Sequence, residues 1–329
     1  MNLRNKNVFV TGAGGFIGSH LCSHLVEEGA NVKAMLHYNS RSDWSNLEFL
    51  EKSIKSEIEV VKGNVEDSSF LDTHTKNQNI IFHLAALIGI PYSYEAPLSY
   101  VKTNIEGTVN VLESARKNGL ELIINTSTSE TYGTAQYTPI DELHPLQGQS
   151  PYSASKIAAD KLTESYFNSF SLPVITVRPF NTYGPRQTSR AVIPTIISQL
   201  LTQKKLILGD LSPVRDFTFV ADTVNGFICA AKHSSNIGQV INLGYGKAAS
   251  INETANIIMD IMNIQKEIIT EDKRVRPKDS EVFQLISNNQ KAKKLIGWEP
   301  EVSLRYGLEK TIDFISKNIN LFKSSSYNI

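Results

Sequence analysis

The feature that most limits the fold is "VTGAGGFIGSHL" at residues 10–21. An apolar run, "NVFVTG" (7–12), ends in Gly12. A helical period opens at Phe16 and Ile17, with Ile17, Leu21 and Leu25 on one face. Between the two stand Gly12, Gly15 and Gly18. Glycines at a strand-to-helix junction permit a tight turn, a close backbone approach to a phosphate, and close packing of helix on sheet. The spacing is GxxGxxG rather than the commoner GxGxxG. A plain turn rarely needs three glycines, so the stretch is read as the phosphate-binding turn of a dinucleotide fold.

The chain beyond this turn keeps the alternation of strand and helix. "NVKAML" (31–36), "EIEVVKG" (57–63), "NIIFHLAA" (79–86), "ELIINTST" (121–128) and "PVITVRPF" (173–180) read as strands. Helical stretches at 98–118 and 152–170 separate the later ones. Strands alternating with helices predict a parallel sheet covered on both faces. Beyond about residue 181 the pattern loosens around Pro194, Gly209 and Pro213. Helical signals return at 222–232, 250–263, 288–296 and 303–317. The expected architecture is α/β: a Rossmann-type doubly wound parallel sheet with a smaller C-terminal α/β lobe. Residues 1–180 would form the dinucleotide-binding domain, with about 217–240 returning to it. Residues 181–329 would form the second lobe.

Composition excludes several classes. The chain has 329 residues, and its 33 Lys+Arg balance 33 Asp+Glu, which leaves no net field for nucleic acid or anionic lipid. Cys22 and Cys229 stand in unrelated contexts, without a CxxC pair or a nearby histidine cluster, so neither a disulfide framework nor a metal site is expected. The opening "MNLRNKNVFVTG" lacks a signal-peptide core, and no apolar run approaches a membrane span. A cytoplasmic protein is expected.

The end of the second strand is where such folds place the adenosine ribose, and an NAD site usually offers an acid there. "AMLHYNSR" offers none. Asn39, Ser40 and Arg41 suit a 2′-phosphate instead, which tilts the expectation towards NADP with NAD close behind. Asn64 and Val65, after the third strand, would lie near adenine. Leu84, Ala85 and Ala86 would run beneath the nicotinamide.

"YSASK" places Tyr152 and Lys156 four apart at the start of a helix, hence on one face. A free phenol, with a pKa near 10, is too weakly acidic to act as a base at neutral pH. A neighbouring ammonium favours the phenolate, which then takes a proton from an alcohol. The preceding strand ends in a hydroxyl residue, Thr128, followed by Ser129 and Glu130.

Together "TGAGGFIGSHL", "HLAA", "TSTSETYG", "YSASK", "RPFNTYGPRQ" and "RDFTFVADT" resemble the extended short-chain dehydrogenases/reductases, the family of nucleotide-sugar epimerases, dehydratases and decarboxylases. The matches span nearly the whole chain in family order. The resemblance implies a tightly bound, recycled NAD(P)+ held in part by Tyr152 and Lys156, with Thr128 on the reacting sugar hydroxyl. It places Asn181, Arg186, Arg215 and Arg276 on the sugar nucleotide. It also implies a homodimer through helices 98–118 and 152–170.

Glu130 narrows the reaction. Simple 4-epimerases generally lack a carboxylate two residues after the catalytic hydroxyl, whereas the family's 4,6-dehydratases carry Thr-Asp-Glu. There the Glu removes the C5 proton and the Asp protonates the departing C6 hydroxyl. Here Ser129 replaces the acid, and Ser-Glu also occurs in uridine diphosphate-glucuronate decarboxylases, which need a cation such as Arg186 or Arg276 for the C6 carboxylate. The expected function is a 4,6-dehydratase of nucleotide-linked N-acetylglucosamine, uridine form before guanosine. The decarboxylase and a 4-epimerase are the alternatives. A non-catalytic NAD(P)-binding regulator is disfavoured, because Thr128, Tyr152 and Lys156 are all intact.

Overall fold

The computed structural model describes residues 1–40, 42–275 and 277–322. Seven parallel strands form the central sheet: β1 (Asn7–Thr11), β2 (Asn31–His37), β3 (Ile58–Gly63), β4 (Ile80–His83), β5 (Leu122–Thr126), β6 (Val174–Pro179) and β7 (Val240–Leu243). Their order is β7-β6-β5-β4-β1-β2-β3, which reverses direction at β1 and β4. This is the expected doubly wound sheet, and the reversal opens its ligand crevice at the carboxyl ends of those strands.

Alternation along each strand explains the continuous apolar runs. Val8 and Val10 enter one core and Phe9 the other; Ile80 and Phe82 oppose Ile81 in the same way, as do Leu122 and Ile124 against Ile123. A sheet covered on both faces needs apolar residues at both parities. Helices α1 (Phe16–Glu27), α2 (Gly107–Asn118), α3 (Pro151–Phe170), α4 (Val192–Thr202) and α5 (Val220–Lys232) supply most of the cover.

Three expectations need correction. The run 79–86 stops being strand at His83, because Leu84 N and Ala85 N turn to the Thr11 hydroxyl. Helix 98–118 starts at Pro97 and contains a π-helical segment, Val101–Glu106, before α2. Strand β7 and helix α4 went unread: β7 has only four residues, and Pro194 in the first turn of α4 reads as a breaker. Helix α5 packs on α1, and β7 pairs with β6.

Apart from β7, the described strands from Asn181 onward are short and form small separate sheets. Asn181–Tyr183 pairs with Phe217–Phe219, and Val214–Arg215 lies between Ala249–Ser250 and Gln284–Leu285.

Candidate active site

The glycine-rich turn is built by steric necessity. Gly12 has φ +69°, and a Cβ there would stand 2.7 Å from Ala85 N and 2.8 Å from the Leu84 carbonyl carbon. The turn therefore lies directly against the segment after β4. A Cβ on Gly18 would run into the Gly12 carbonyl oxygen. Gly15 caps α1 without a side-chain acceptor, so the first N–H groups of the helix, at Phe16 and Ile17, have no side-chain partner. Asn64 Oδ1 is buried without a hydrogen-bond partner, while Val65 is buried beneath α2. A cradle without side chains, an uncapped helix start and an orphaned acceptor fit a dinucleotide. Asn39 is half-buried and Ser40 exposed after β2; Arg41 lies outside the described residues.

His83 ties this floor together. Its Nδ1 meets Thr11 Oγ1 at 2.8 Å and its Nε2 meets Thr108 Oγ1 at 3.1 Å. Burial, with Lys156 nearby, drives its pKa down to about 3. It is a neutral structural residue, as expected for a strand end.

The chemistry-bearing residues gather where β5 ends. Thr128 is the N-cap of a short 3₁₀ turn, Ser129–Tyr132, and its hydroxyl accepts from Glu130 N at 3.2 Å. Glu130 is 9% exposed, which removes it from the class of solvated loop acids. Tyr152 and Lys156 project from the first turns of α3, whose start is fixed by a capping box between Ser150 and Ser153. Burial raises Tyr152 above the ordinary phenol range; the Thr128 hydroxyl opposes that shift and the Glu130 charge adds to it. Thr128 and Glu130 thus both lie close enough to act on the Tyr152 phenol. Lys156 Nζ donates to Thr126 O at 2.6 Å, and burial pulls its pKa down while Asp160 resists. Here burial, rather than the ammonium, dominates the phenol.

The loop residues after β6 make their own contacts. Asn181 Oδ1 is buried and unpaired, which suits a residue reserved for a ligand. Arg186, in a left-handed conformation (φ +70°), reaches Ser19 Oγ on α1 at 3.4 Å. That sets it beside the glycine-rich turn. Arg215 is buried, and its guanidinium pairs with Glu281 at 3.1 Å. Arg276 lies outside the described residues.

Several residues escaped the sequence reading. Arg190 Nη1 approaches Gly89, beside the Tyr100 ring, which in turn lies 6.2 Å from Tyr152. Asn104, inside the π-helical segment, accepts from Leu87 N and donates to Leu87 O and Ser155 Oγ, stapling the loop after β4 to α3. Asp160 and Arg178 form a buried ion pair. A charge in "VITVRPF" and an Asp four residues after Lys156 were the available signals. Tyr132 and Tyr183 are packed, and Glu142 accepts from Asn242 N at the end of β7.

Residues 9–311 match the family model described as GDP-mannose 4,6 dehydratase. The UDP-glucose 4-epimerase of Mycolicibacterium smegmatis is 33% identical over 93% of this chain and 97% of its own length. The dTDP-D-glucose 4,6-dehydratase of Bos taurus is 28% identical over 97% of this chain and 91% of its own. Among solved structures, the UDP-glucuronic acid 4-epimerase of Bacillus cereus, in complex with UDP-glucuronic acid and NAD, superposes with TM-score 0.86 at 29% identity, covering 95% of this chain and 99% of that one. The chain belongs to the extended short-chain dehydrogenase/reductase family of NAD-dependent nucleotide-sugar epimerases and dehydratases. It is an enzyme of that family, and Thr128, Tyr152 and Lys156 stand together at one sheet edge.

Proposed function

We propose that the protein is a nucleotide-sugar 4,6-dehydratase, acting first on uridine diphosphate-N-acetylglucosamine. The observation that carries this is Glu130: a buried carboxylate two residues after Thr128 whose charge acts on Tyr152. A nicotinamide dinucleotide held on the glycine-rich turn would supply the acceptor for the C4 hydride and the later donor of hydride to C6. Tyr152, aided by Lys156, takes the proton of the sugar's C4 hydroxyl, which Thr128 holds by hydrogen bond. Glu130 then removes the C5 proton, acidified by the new C4 ketone. The C6–O bond breaks and water leaves. With Ser129 in place of an acid, that proton reaches the C6 oxygen from Glu130 itself or through the Ser129 hydroxyl. Hydride returned to C6 and a proton delivered to C5, balanced by the one Tyr152 took from the C4 hydroxyl, complete the 4-keto-6-deoxy sugar with no net use of cofactor.

Asn39, Ser40 and Arg41, with no acid at the end of β2, favour the 2′-phosphorylated cofactor; the NAD in the Bacillus cereus neighbour supports the other form. Exposed Leu98, Val101 and Phe170 support a homodimer through helices 98–118 and 152–170.

A second reading, 4-epimerase, is favoured by Ser129 and by the relatives that bear that name. Mass spectrometry separates the two. Incubated with uridine diphosphate-N-acetylglucosamine, its guanosine analogue and uridine diphosphate-glucuronate, a dehydratase removes one water from an acetylglucosamine substrate. Glu130→Gln should then reduce the cofactor yet release little product. Undiminished turnover in that variant, or an isomer of unchanged mass, sinks the dehydratase. Loss of carbon dioxide from the glucuronate alone makes the enzyme a decarboxylase.

A further inference from the structure

The Arg178–Asp160 ion pair lies beneath the catalytic turn, with both side chains buried and 2.7 Å between Nη2 and Oδ2. A buried pair is weak ground for stability on its own, because desolvation offsets its attraction. What it holds is more informative. Asp160 stands one turn beyond Lys156 and two beyond Tyr152, on the same face of α3. Its Oδ2 also accepts the Ser127 hydroxyl at 2.5 Å. Arg178, on β6, donates from Nε to Ser127 Oγ at 3.2 Å and from Nη1 to the Tyr132 hydroxyl at 2.8 Å. The guanidinium carbon sits 4.7 Å from the Tyr132 ring centroid, and the Tyr132 hydroxyl donates onward to Asn242 Oδ1.

Ser127 immediately precedes Thr128. Tyr132 follows Glu130 by two. We propose that Arg178 and Asp160 form a clamp that grips both ends of the 128–131 turn, setting Thr128 against Tyr152 at one end and Glu130 at the other. The four residues Ser127, Tyr132, Asp160 and Arg178 are positioning residues; the proposal rests on the functional reading of Thr128 and Glu130. A planar guanidinium with several donors in a fixed fork can reach both ends of one turn at once. An apolar filler would occupy the same space and fix no orientation. The carboxylate, anchored to the helix that carries Tyr152 and Lys156, puts the turn and the helix in one frame.

Two variants loosen the ends separately and leave the buried charge pair whole: Ser127→Ala and Tyr132→Phe. Rapid-mixing absorbance of the reduced nicotinamide reads oxidation, and product analysis reads the step after it. Ser127→Ala should slow the appearance of reduced cofactor about tenfold to a hundredfold, the cost of an ångström-scale misplacement. Tyr132→Phe should leave that rate and KM near wild type while reduced cofactor accumulates and product falls by a similar factor. Opposite signatures from two ends of one network are not what a merely structural role gives. Variants that lose thermal stability but keep wild-type rates at both steps overturn the clamp. If the wild type and Glu130→Gln both epimerise, the dehydratase reading falls, and Ser127→Ala must still slow hydride removal for the clamp to stand. A crystal structure of Ser127→Ala in which the turn keeps its place overturns the clamp whatever the reaction proves to be.

Discussion

The floor of the cleft and the loops facing it are built on different plans. On the floor, the glycine-rich turn, Thr128, Tyr152 and Lys156 sit at the ends of sheet strands or the first turns of long helices, each fixed by close neighbours. Facing it, Asn181, Arg186 and Arg215 come from short strands and loops and owe their places to distant partners such as Ser19 and Glu281. A rigid floor suits a reaction that must place a hydride and a proton on the same carbon. An adaptable facing wall suits discrimination among nucleotides and sugars. If that division is right, changes to the floor strike turnover and changes to the wall strike binding.

The largest effect is therefore expected at Tyr152. Tyr152→Phe keeps the ring packing against Tyr100 and removes the hydroxyl proposed to move the proton. Its kcat should fall by roughly 10²–10⁴-fold, the usual worth of a general acid–base, with KM little changed. Steady-state kinetics that put the loss in KM would erase the distinction between floor and wall.

Next is Gly12→Ala. The left-handed backbone costs an L-residue about 1–2 kcal/mol, and crowding against Ala85 N adds about 1–3 kcal/mol. Thermal melts should show that loss, together with weaker retention of nicotinamide in the purified protein. A variant that melts like wild type and keeps its cofactor would mean that the turn is not the rigid element its close packing implies.

The same contrast governs what the sequence revealed. The glycines, Tyr152 and Lys156 were legible because short-range geometry dictates their spacing: a strand must turn into a helix, and two side chains must share a helical face. Glu130 was legible as a residue but not as buried, since burial depends on the turn closing beneath it. Arg186 follows a strand end in its motif, but its left-handed backbone and its contact with Ser19, 167 residues away, leave no local mark in the sequence. Asp160 and Arg178 lie 18 residues apart in sequence, so no local period joins them; β6 had to be laid beside β5 before their pairing showed. Strand β7 was missed because four residues, the last three of them buried, leave no alternation to read.

On the wall, Glu281→Gln tests whether Arg215 is held ready or held back. The pair is nearly buried, at 6% and 11% exposure, and a hydrogen bond to a charged group contributes about 1.5–3 kcal/mol. The variant should lose about that much stability without ligand. It should gain a larger melting shift on adding uridine diphosphate, because the diphosphate no longer competes with a carboxylate for the guanidinium. Unchanged kcat with a lower KM is the expected kinetic result. A higher KM would instead make Glu281 the residue that orients Arg215.

The smallest effect separates the two regions by pH. His20 and His83 belong to the floor, and burial lowers each to about 3, with Arg186 adding to the shift at His20 and Lys156 at His83. Their unfolded forms take up a proton near 6.5 and their folded forms do not. The stability they contribute is thus present above pH 6.5 and lost as pH falls towards 3, at about 1.4 kcal/mol per histidine per pH unit. Asp216, on the wall side, accepts Tyr245 N, Gly246 N and Ser287 N, yet burial raises it from 3.8 to about 6. Its folded form holds a proton that the unfolded form has released, so between pH 4 and 6 it makes stability fall as pH rises. Melting curves between pH 4 and 7 should therefore diverge in opposite senses. His20→Gln should flatten the acid-side loss, since Gln has no proton to take up when the chain unfolds. Asp216→Asn should steepen it, because the opposing carboxylate is gone. Each difference should be about 1.4 kcal/mol per pH unit, read from slopes rather than from absolute stability, which Asp216→Asn also lowers by weakening three backbone hydrogen bonds. Parallel curves for wild type and His20→Gln would show that the floor histidine titrates alike in folded and unfolded chains, and that the floor is wetter than its burial implies.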